Sequence, residues 1–554
     1  MVDFRIYRYA FAPALLAFVA LMFSLQGVPA AIEPVAPPAS FESGPAAATA
    51  REIVETAPER QPGSAGDEAI ADLVAERFAE IEVGTVSEQT LEASFDGDDV
   101  SVRNVILTLP GDSPASIVVL AGRDSADGPG AASSAAATGA LVELGGALAV
   151  SGHARTYVLA STSATTAGAA GAREAVAAVP DPGAVEAVVV LSQPGSADPR
   201  GPYVIDSSTG TTRTAAQLVS TAELAVAEQA GREAGQPGVV SQLARLAFPS
   251  GLGEQAPLIA AGFDAVGISS AGERPLPPGE DEIDDLSRPV LGDLGQATST
   301  IVQALDASEA ELVRGPDPYL DTGDNLVPGW AVALLALALL APALVAAVDA
   351  SGWALRRSQG LTEALIWAVC AVVPLLAGLI ALYALALVGL VDTPDFPFDP
   401  GRHGLDAATV ASTILIVAAI AGAAVAIRPL RIALDAPRAG LVAAVGITSV
   451  AAGLLAWLAN PYLGLLAAPA AHAWLLAAAG AGAGGAALGV VAALAPLVIA
   501  LGVVASALGL GVTAPWTFAV MVAGGQLPFG VAASICVLVA SLVAVVAVAR
   551  RMAA

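Results

Sequence analysis

The first half of the chain contains few side chains that could carry out covalent or metal chemistry. Asp124 follows a short apolar run, and two adjacent hydroxyls, Ser133 and Ser134, come just before an alanine-rich run. Before residue 328 the chain has one histidine, His153, and no cysteine. A serine nucleophile needs a neighbouring base, and neither serine has a histidine close in sequence. We therefore interpret the serine pair as the N-cap of a helix, where hydroxyls accept hydrogen bonds from free amide groups.

Predicted strands and helices alternate around these residues. Short apolar runs predict strands at 102–108, 116–121, 155–161, 185–191 and 265–268, and longer periodic runs predict helices at 135–148 and 214–233. Alternation of this kind is typical of α/β domains with helices on both faces of a sheet. Asp124 thus falls just beyond the carboxyl end of a predicted strand, and the serine pair falls where the next helix begins.

This region resembles the core of the family M-28 metallopeptidases, the group of di-zinc aminopeptidases and endoplasmic-reticulum metallopeptidases. The strand before residue 122, the Gly128-Pro129-Gly130-Ala131 turn and the helix after it follow the order of the family's core. Two earlier segments, around Arg60-Gln61-Pro62-Gly63-Ser64 and Arg103-Asn104-Val105-Ile106, also resemble the family, and the resemblance covers roughly 51–306. It implies a three-layer aminopeptidase-like domain with a mostly parallel mixed sheet.

The resemblance also implies which positions would bind zinc or act as the general base. Asp124 matches the family aspartate that orients the first zinc histidine, and Gly122 stands where that histidine would be. The other former metal or base positions hold hydroxyl or amide side chains, namely Ser133, Thr165, Thr166, Ser192 and Gln255. Because hydroxyls and amides are poor zinc ligands, we expect no metal, no cofactor and no assignable catalytic residue here.

The composition of the chain changes sharply near Pro328, because nearly all the carboxylates precede it. We predict an N-terminal membrane anchor or signal segment at 1–32, a Pro- and Ala-rich tether at 33–50, an extracytoplasmic peptidase-like domain at 51–310, a linker at 311–328 and an all-α membrane domain at 329–554. The chain has a net charge of −27, and its acidic first half would repel nucleic acid and anionic lipid headgroups. We therefore expect no nucleic-acid partner and no role on a phospholipid surface.

Seven apolar stretches of the second half are long enough to cross a bilayer core of about 30 Å. They lie at 329–348, 364–391, 407–427, 439–459, 462–480, 486–509 and 527–549. Arginines follow the first, third and seventh stretches, and cytoplasmic loops are enriched in arginine. We therefore predict a multi-pass cell-membrane protein with a cytoplasmic carboxyl terminus and the peptidase-like domain outside. The alanine- and valine-rich composition indicates a bacterial source.

Three functions are compatible with these features. The first is a membrane-anchored pseudopeptidase that binds a peptide, protein or glycolipid partner outside the cytoplasm and takes part in a larger membrane complex. The second is an active zinc-dependent aminopeptidase with an atypical site. The third is a transporter or lipid-handling protein with an accessory ectodomain, although the second half of the bundle lacks the charged residues that ion coupling usually needs.

Two further features have simple structural interpretations. His472 is the one residue between 440 and 549 that titrates near neutral pH, and we interpret it as hydrogen-bonded to a neighbouring helix. The acidic run at 280–285 is interpreted as a solvated loop rather than as a calcium site.

Overall fold

The chain folds into an α/β half followed by a helical half. The structure, a computed structural model, describes residues 4–197, 200–402, 406–434 and 436–553. The strands are β1 (Gln26–Gly27), β2 (Thr85–Phe95), β3 (Asp98–Leu109), β4 (Ser113–Gly122), β5 (Arg155–Thr162), β6 (Val185–Gln193), β7 (Tyr203–Ile205), β8 (Ala265–Ser269), β9 (Tyr319–Asp321) and β10 (Asn325–Pro328).

Helices come before, between and after these strands. Those up to residue 310 are α1 (Phe4–Tyr9), α2 (Ala12–Phe23), α3 (Ser43–Thr56), α4 (Ala65–Ala79), α5 (Ala136–Ala149), α6 (Ala170–Ala177), α7 (Ala216–Ala230), α8 (Val239–Ala247), α9 (Gln255–Ala260) and α10 (Arg288–Ala307). Those of the second half are α11 (Gly329–Arg356), α12 (Leu361–Leu387), α13 (Ala407–Ala433), α14 (Arg438–Ala459), α15 (Pro461–His472), α16 (Trp474–Ala478), α17 (Ala483–Ala507), α18 (Ala514–Ala523) and α19 (Phe529–Ala553).

The α/β half is built on a seven-stranded mixed sheet with the order β2-β3-β5-β4-β6-β8-β7. The central strands β5, β4, β6 and β8 run parallel to one another, and the outer pairs are antiparallel. Side chains of β4 alternate between the two faces, so that Ile117 and Val119 pack in one core and Val118 and Leu120 in the other. This arrangement confirms the predicted α/β class and its mostly parallel mixed sheet.

Helices cover both faces of this sheet. One core contains buried residues of α3, α4, α5, α7 and α10, and the core on the opposite face contains residues of α6 and α9. The domain therefore has the three layers that were predicted. A fully buried aliphatic side chain contributes about 1.5–3 kcal/mol to the stability of the fold. The many buried side chains of the central strands therefore keep the carboxyl edge of the sheet in a fixed position.

The predicted tether at 33–50 is partly incorporated in the domain core. Helix α3 begins at Ser43, and Ala46, Ala47 and Ala50 are completely buried against the first core. Alanine favours helix formation and allows close helix contact, so this composition forms a packed helix here rather than a flexible segment. The predicted linker at 311–328 also contains structure, because β9 and β10 form a small sheet with β1.

The second half consists of apolar helices. Among the described residues, eight helices are long and apolar enough to cross a membrane, and seven of them follow the α/β domain. These seven overlap the seven ranges predicted from the sequence. The eighth lies at Arg5–Phe23. A short apolar helix, α18, was not predicted; with ten residues it is too short to span a bilayer core of about 30 Å.

The two halves pack directly against each other through α8. Leu246 and Phe248 at the end of this helix share a buried apolar cluster with Leu463 and Val504 of the helical half. The buried Asn460, at the start of α15, donates from Nδ2 to the Leu246 carbonyl over 2.7 Å. The α/β domain is therefore docked on one end of the helical bundle.

Candidate functional site

The carboxyl ends of the parallel strands meet at one edge of the sheet, which is where α/β proteins usually bind ligands. Gly122 is the last residue of β4, Thr162 is the last of β5, and Ser192 lies next to the end of β6. A cavity of about 550 Å³ opens at this edge. Its lining includes six of the predicted positions, Gly122, Asp124, Ser133, Thr165, Thr166 and Ser192.

Asp124 is held in this cavity by Thr165. The Thr165 hydroxyl donates to Asp124 Oδ1 over 2.6 Å, and the Thr165 amide also donates to the carboxylate. Burial raises the pKa of Asp124 to about 6, with a further contribution from the charge of Asp67. The aspartate thus joins the loop after β4 to the loop after β5, and no imidazole lies beside it among the described residues.

Gly122 leaves no space for a side chain at the position where the family has its first zinc ligand. A Cβ atom there would lie 2.3 Å from Thr165 Oγ1 and 3.4 Å from Glu254 Oε2. The side chains of Thr165 and Glu254 therefore fill the volume that a histidine would need. A histidine introduced at this position would collide with Thr165.

Glu254 is a cavity residue that was not predicted as a site residue. Its Oε1 accepts a hydrogen bond from Thr162 Oγ1 over 2.7 Å, and burial raises its pKa to about 7, with a smaller contribution from the charge of Asp124. The predicted position next to it, Gln255, is completely buried but does not line the cavity. Gln255 is the first residue of α9, and its side-chain amide points towards Ser207 instead of the cavity.

Asp281 is the third buried carboxyl of the cavity. Its Oδ1 accepts from the amides of Ala132 and Ser133 over 2.7 and 3.0 Å, and its Oδ2 accepts from the Ser133 hydroxyl. Burial raises the pKa of Asp281 to about 6. The interpretation of 280–285 as a solvated loop is therefore wrong for this residue, which is only 5% exposed.

The serine pair does not form the predicted N-cap. Ser133 and Ser134 lie inside a single π-helical turn, Ala131–Ala135, whose capping position is Gly130, in the left-handed region with φ 55°. Ser133 donates to Asp281, and Ser134 accepts from the guanidinium of the buried Arg60 over 2.9 Å. The two serine hydroxyls therefore connect this turn to the Asp281 carboxylate and to the buried guanidinium of Arg60.

Loops of the helical half close the cavity on the side opposite the sheet. The loop after α12 contributes residues 399–401, and the loop after α17 contributes 508–510. Arg402, beside the first loop, donates to the Ala126 carbonyl over 2.6 Å and lies 3.2 Å from an Asp127 carboxylate oxygen. The site is thus formed between the two halves, which the sequence could not indicate.

His472 lies away from this cavity, within the helical half. Its Nδ1 lies 2.8 Å from the Ala468 carbonyl one turn earlier in the same helix. Its ring packs against Tyr7 and Phe11 of the N-terminal segment at centroid distances of 5.9 and 6.1 Å. The expected bond to a neighbouring helix is therefore wrong, because the acceptor comes from its own helix.

The described donors of the cavity do not form a typical zinc site. Three of its carboxyls, those of Asp124, Glu254 and Asp281, already accept hydrogen bonds from hydroxyl groups of the domain. No group of three or more His, Cys, Asp or Glu side chains in the described ranges is arranged to hold a metal ion.

No protein-family model matches the chain, and no curated protein matches it. Solved structures similar to part of it include a glutaminyl cyclase from an Acidobacteriales bacterium, with 19% identity and a TM-score of 0.40 over 51% of this chain and 99% of that one. A zinc aminopeptidase from Bacillus subtilis has 15% identity and a TM-score of 0.39 over 50% of this chain and 99% of that one. A leucine aminopeptidase precursor from Bacteroides thetaiotaomicron has 16% identity and a TM-score of 0.38 over 49% and 99%.

Proposed function

We propose that the chain is a membrane-anchored peptidase-like protein of the M-28 type whose α/β domain acts as a non-catalytic binding module outside the cytoplasm. The arrangement of the cavity carboxyls carries this proposal. Asp124, Glu254 and Asp281 each accept hydrogen bonds from hydroxyl groups of the domain itself. Such bonds stabilise a preformed pocket, whereas zinc-dependent hydrolysis needs several free donors and an activated water.

The charge of the cavity favours a ligand with a cationic group. Its described lining contains six carboxyls and one arginine, Arg274; the carboxyls are Asp124, Asp127, Glu254, Glu273, Asp281 and Asp399. Hydrogen bonds between an ammonium group and carboxylates are about twice as strong as those between neutral groups. A peptide or protein partner with an accessible amino group is therefore the ligand that the cavity suits best.

The placement of the domain outside the cytoplasm rests on arginine distribution. Arg356, Arg357, Arg550 and Arg551 lie at the ends of α11 and α19 that point away from the α/β domain in an alternating bundle. Loops rich in arginine favour the cytoplasmic side. The domain and the loops that close its cavity would then face the opposite side.

An enzyme with an atypical site is the second candidate, and one observation favours it. Glu254 and Asp124 lie in one cavity with pKa values raised by burial to about 7 and about 6. Carboxyls that titrate near neutral pH are suited to general acid–base catalysis. This alternative predicts turnover, which the binding-module proposal does not.

One experiment on the full chain in detergent distinguishes the two functions. Bound zinc, release of N-terminal residues from a peptide panel, and binding of a fluorescent peptide would be measured on one preparation. We expect no release of N-terminal residues with or without a chelator, and binding of a peptide with a free amino group at least about tenfold tighter than its N-acetylated form.

The variants Glu254→Gln and Glu92→Gln serve as test and control, because Glu92 is exposed and lies outside the cavity. Binding should weaken in the first variant and remain unchanged in the second. Near-stoichiometric zinc with chelator-sensitive peptide release would overturn the proposal, as would equal binding of the acetylated peptide.

A further inference from the structure

A second cavity lies next to the first, at the boundary with the helical half. It has a volume of about 360 Å³ and shares Glu273 and Arg274 with the first cavity. On one side it is lined by β7 and α8, and on the other by Ser506 and Ala507 at the last turn of the membrane-length helix α17. Any ligand in it would therefore lie where the α/β domain meets the end of a membrane helix.

The charge of this cavity is opposite to that of the chain. Four arginines line it, Arg200, Arg213, Arg245 and Arg274, against two carboxyls, Asp206 and Glu273, among the described residues. The whole chain has 24 basic and 51 acidic side chains, so an excess of cations at one site is not what its composition predicts. Clustered guanidinium groups bind phosphate and carboxylate through paired hydrogen bonds.

Two of these arginines are engaged by the two carboxyls of the lining. Arg213 pairs with Asp206 over 2.5 Å, and Arg245 pairs with Glu273. Arg200 pairs with Glu280, outside the lining, over 2.8 Å, and both of their side chains are largely exposed. Three of the four arginines are thus paired with carboxylates, and Arg274 is the arginine of the lining that has no ion pair among the described residues.

Arg274 lies between the two cavities, beside the end of α17. Its guanidinium lies against Gly509, since a Cβ atom at that glycine would be 2.4 Å from Arg274 Nη1. The structure gives this guanidinium no ion pair within the described ranges. Gly509 belongs to the loop directly after α17, so the cation lies beside the point where that helix leaves the apolar layer.

Apolar side chains complete the cavity. Val204 and Ile205 of β7 and Leu246 of α8 line it together with the end of α17. A site that combines arginines with an apolar wall at a membrane surface suits an amphiphile whose anionic group pairs with the guanidiniums while its chains remain beside the helix.

We infer that this cavity binds the phosphate group of an anionic membrane lipid. The group that the cavity would recognise is a phosphate oxyanion, and either a lipid headgroup or soluble phosphate could supply it. The position of Ser506 and Ala507 in the lining favours the lipid source. The inference does not require peptide binding, although the two cavities share Glu273 and Arg274.

The test uses the full chain in detergent and native mass spectrometry with three probes: phosphatidylglycerol, a diacylglycerol with the same acyl chains, and inorganic phosphate. We expect phosphatidylglycerol to bind, and the diacylglycerol and phosphate to bind at least about tenfold more weakly. Equal binding of the diacylglycerol would overturn the inference, because the acyl chains alone would then explain it. Equal binding of free phosphate would overturn the lipid source.

Variants locate the site. Arg274→Gln and Arg245→Gln should each weaken phosphatidylglycerol binding by about tenfold or more. Arg77→Gln removes the same charge from an exposed pair with Glu52 and should leave binding unchanged. Because Arg274 has no ion-pair partner in the described part of the chain, its loss should not unfold the protein, and a thermal-unfolding measurement checks this. Undiminished binding in Arg274→Gln would overturn the assignment.

Discussion

At the scale of single residues, burial controls the titration of Glu254. Its folded pKa of about 7 lies well above the ordinary glutamate value of about 4.3, so the folded state binds a proton more strongly than the unfolded state. Stability is therefore greatest at pH values below the unfolded pKa and is lost as the pH rises through the folded pKa. The pKa values of Asp124 and Asp281 are raised to about 6, so these residues also make the protein less stable as the pH rises to about 6.

This linkage predicts that the wild-type protein becomes less stable between pH 5 and pH 8. Glu254→Gln should remove part of the decline, on the order of 1–3 kcal/mol, because the neutral amide has no charge to desolvate. The unfolding midpoint would be measured across this pH range in detergent. Glu92→Gln, at an exposed position, should keep the wild-type slope, and an unchanged slope in Glu254→Gln would contradict the assignment.

A second prediction at this scale concerns the ion pair beneath the cavity. Arg123 Nε lies 2.9 Å from Asp67 Oδ1, and both side chains are completely buried. Arg123→Met should destabilise the fold by about 3–5 kcal/mol, because it leaves an unpaired buried carboxylate. Arg77→Met breaks an exposed pair with Glu52 and should cost less than about 1 kcal/mol. Denaturant unfolding of both variants checks the difference, and equal costs would argue against it.

The site residues show what the sequence could and could not indicate. Asp124, Thr165 and Ser192 could be placed together because each lies at or just after the carboxyl end of an apolar strand. Ser133 lies in the helical turn that follows β4 in the chain. Asp281 could not be placed with them, because it reaches Ser133 from a loop nearly 150 residues later in the chain. No local pattern encodes such a contact.

At the scale of elements, apolar content distinguishes the strands that were predicted from the long strand β2, which was not predicted. Strands β4 and β6 are buried on both faces and therefore read as continuous apolar runs. The long edge strand β2 has a mostly polar, mostly exposed sequence, which resembles a loop. Its pairing with β3 over eleven residues stabilises a strand that its own composition does not favour.

Helix α3 was also missed, and its packing can be tested with two glycines of α5. A Cβ atom at Gly139 would lie 2.3 Å from the Ala46 carbonyl oxygen of α3, whereas one at Gly146 would meet nothing within 4 Å. Gly139→Ala should therefore destabilise the protein by about 1–3 kcal/mol by forcing the two helices apart. Gly146→Ala should stabilise it by about 0.5–1 kcal/mol through helix propensity. If 33–50 were a loose tether, both substitutions would be stabilising.

At the scale of the whole molecule, the α/β domain and the helical bundle share one buried surface. Gln526, in the loop before α19, donates to the carbonyls of Thr209 and Pro249 over 2.9 and 3.0 Å. Together with Asn460 and the apolar end of α8, it fixes the domain over the ends of the membrane-length helices. A separately expressed α/β domain would expose this surface, so both cavities are properties of the full chain.

This docking makes the orientation of the chain in the membrane testable with single cysteines. Cys370 and Cys536 lie within helices and would first be replaced by alanine. Val150→Cys places a thiol on the α/β domain where the side chain is 87% exposed, and Ser358→Cys places one beside Arg357 at the opposite end of α11. Neither substitution alters an arginine, so the residues that favour the predicted orientation stay in place.

A membrane-impermeant maleimide should label Val150→Cys in intact cells and Ser358→Cys only after permeabilisation. The reverse pattern would place the α/β domain in the cytoplasm, and labelling of both in intact cells would contradict the crossing of the membrane by α11.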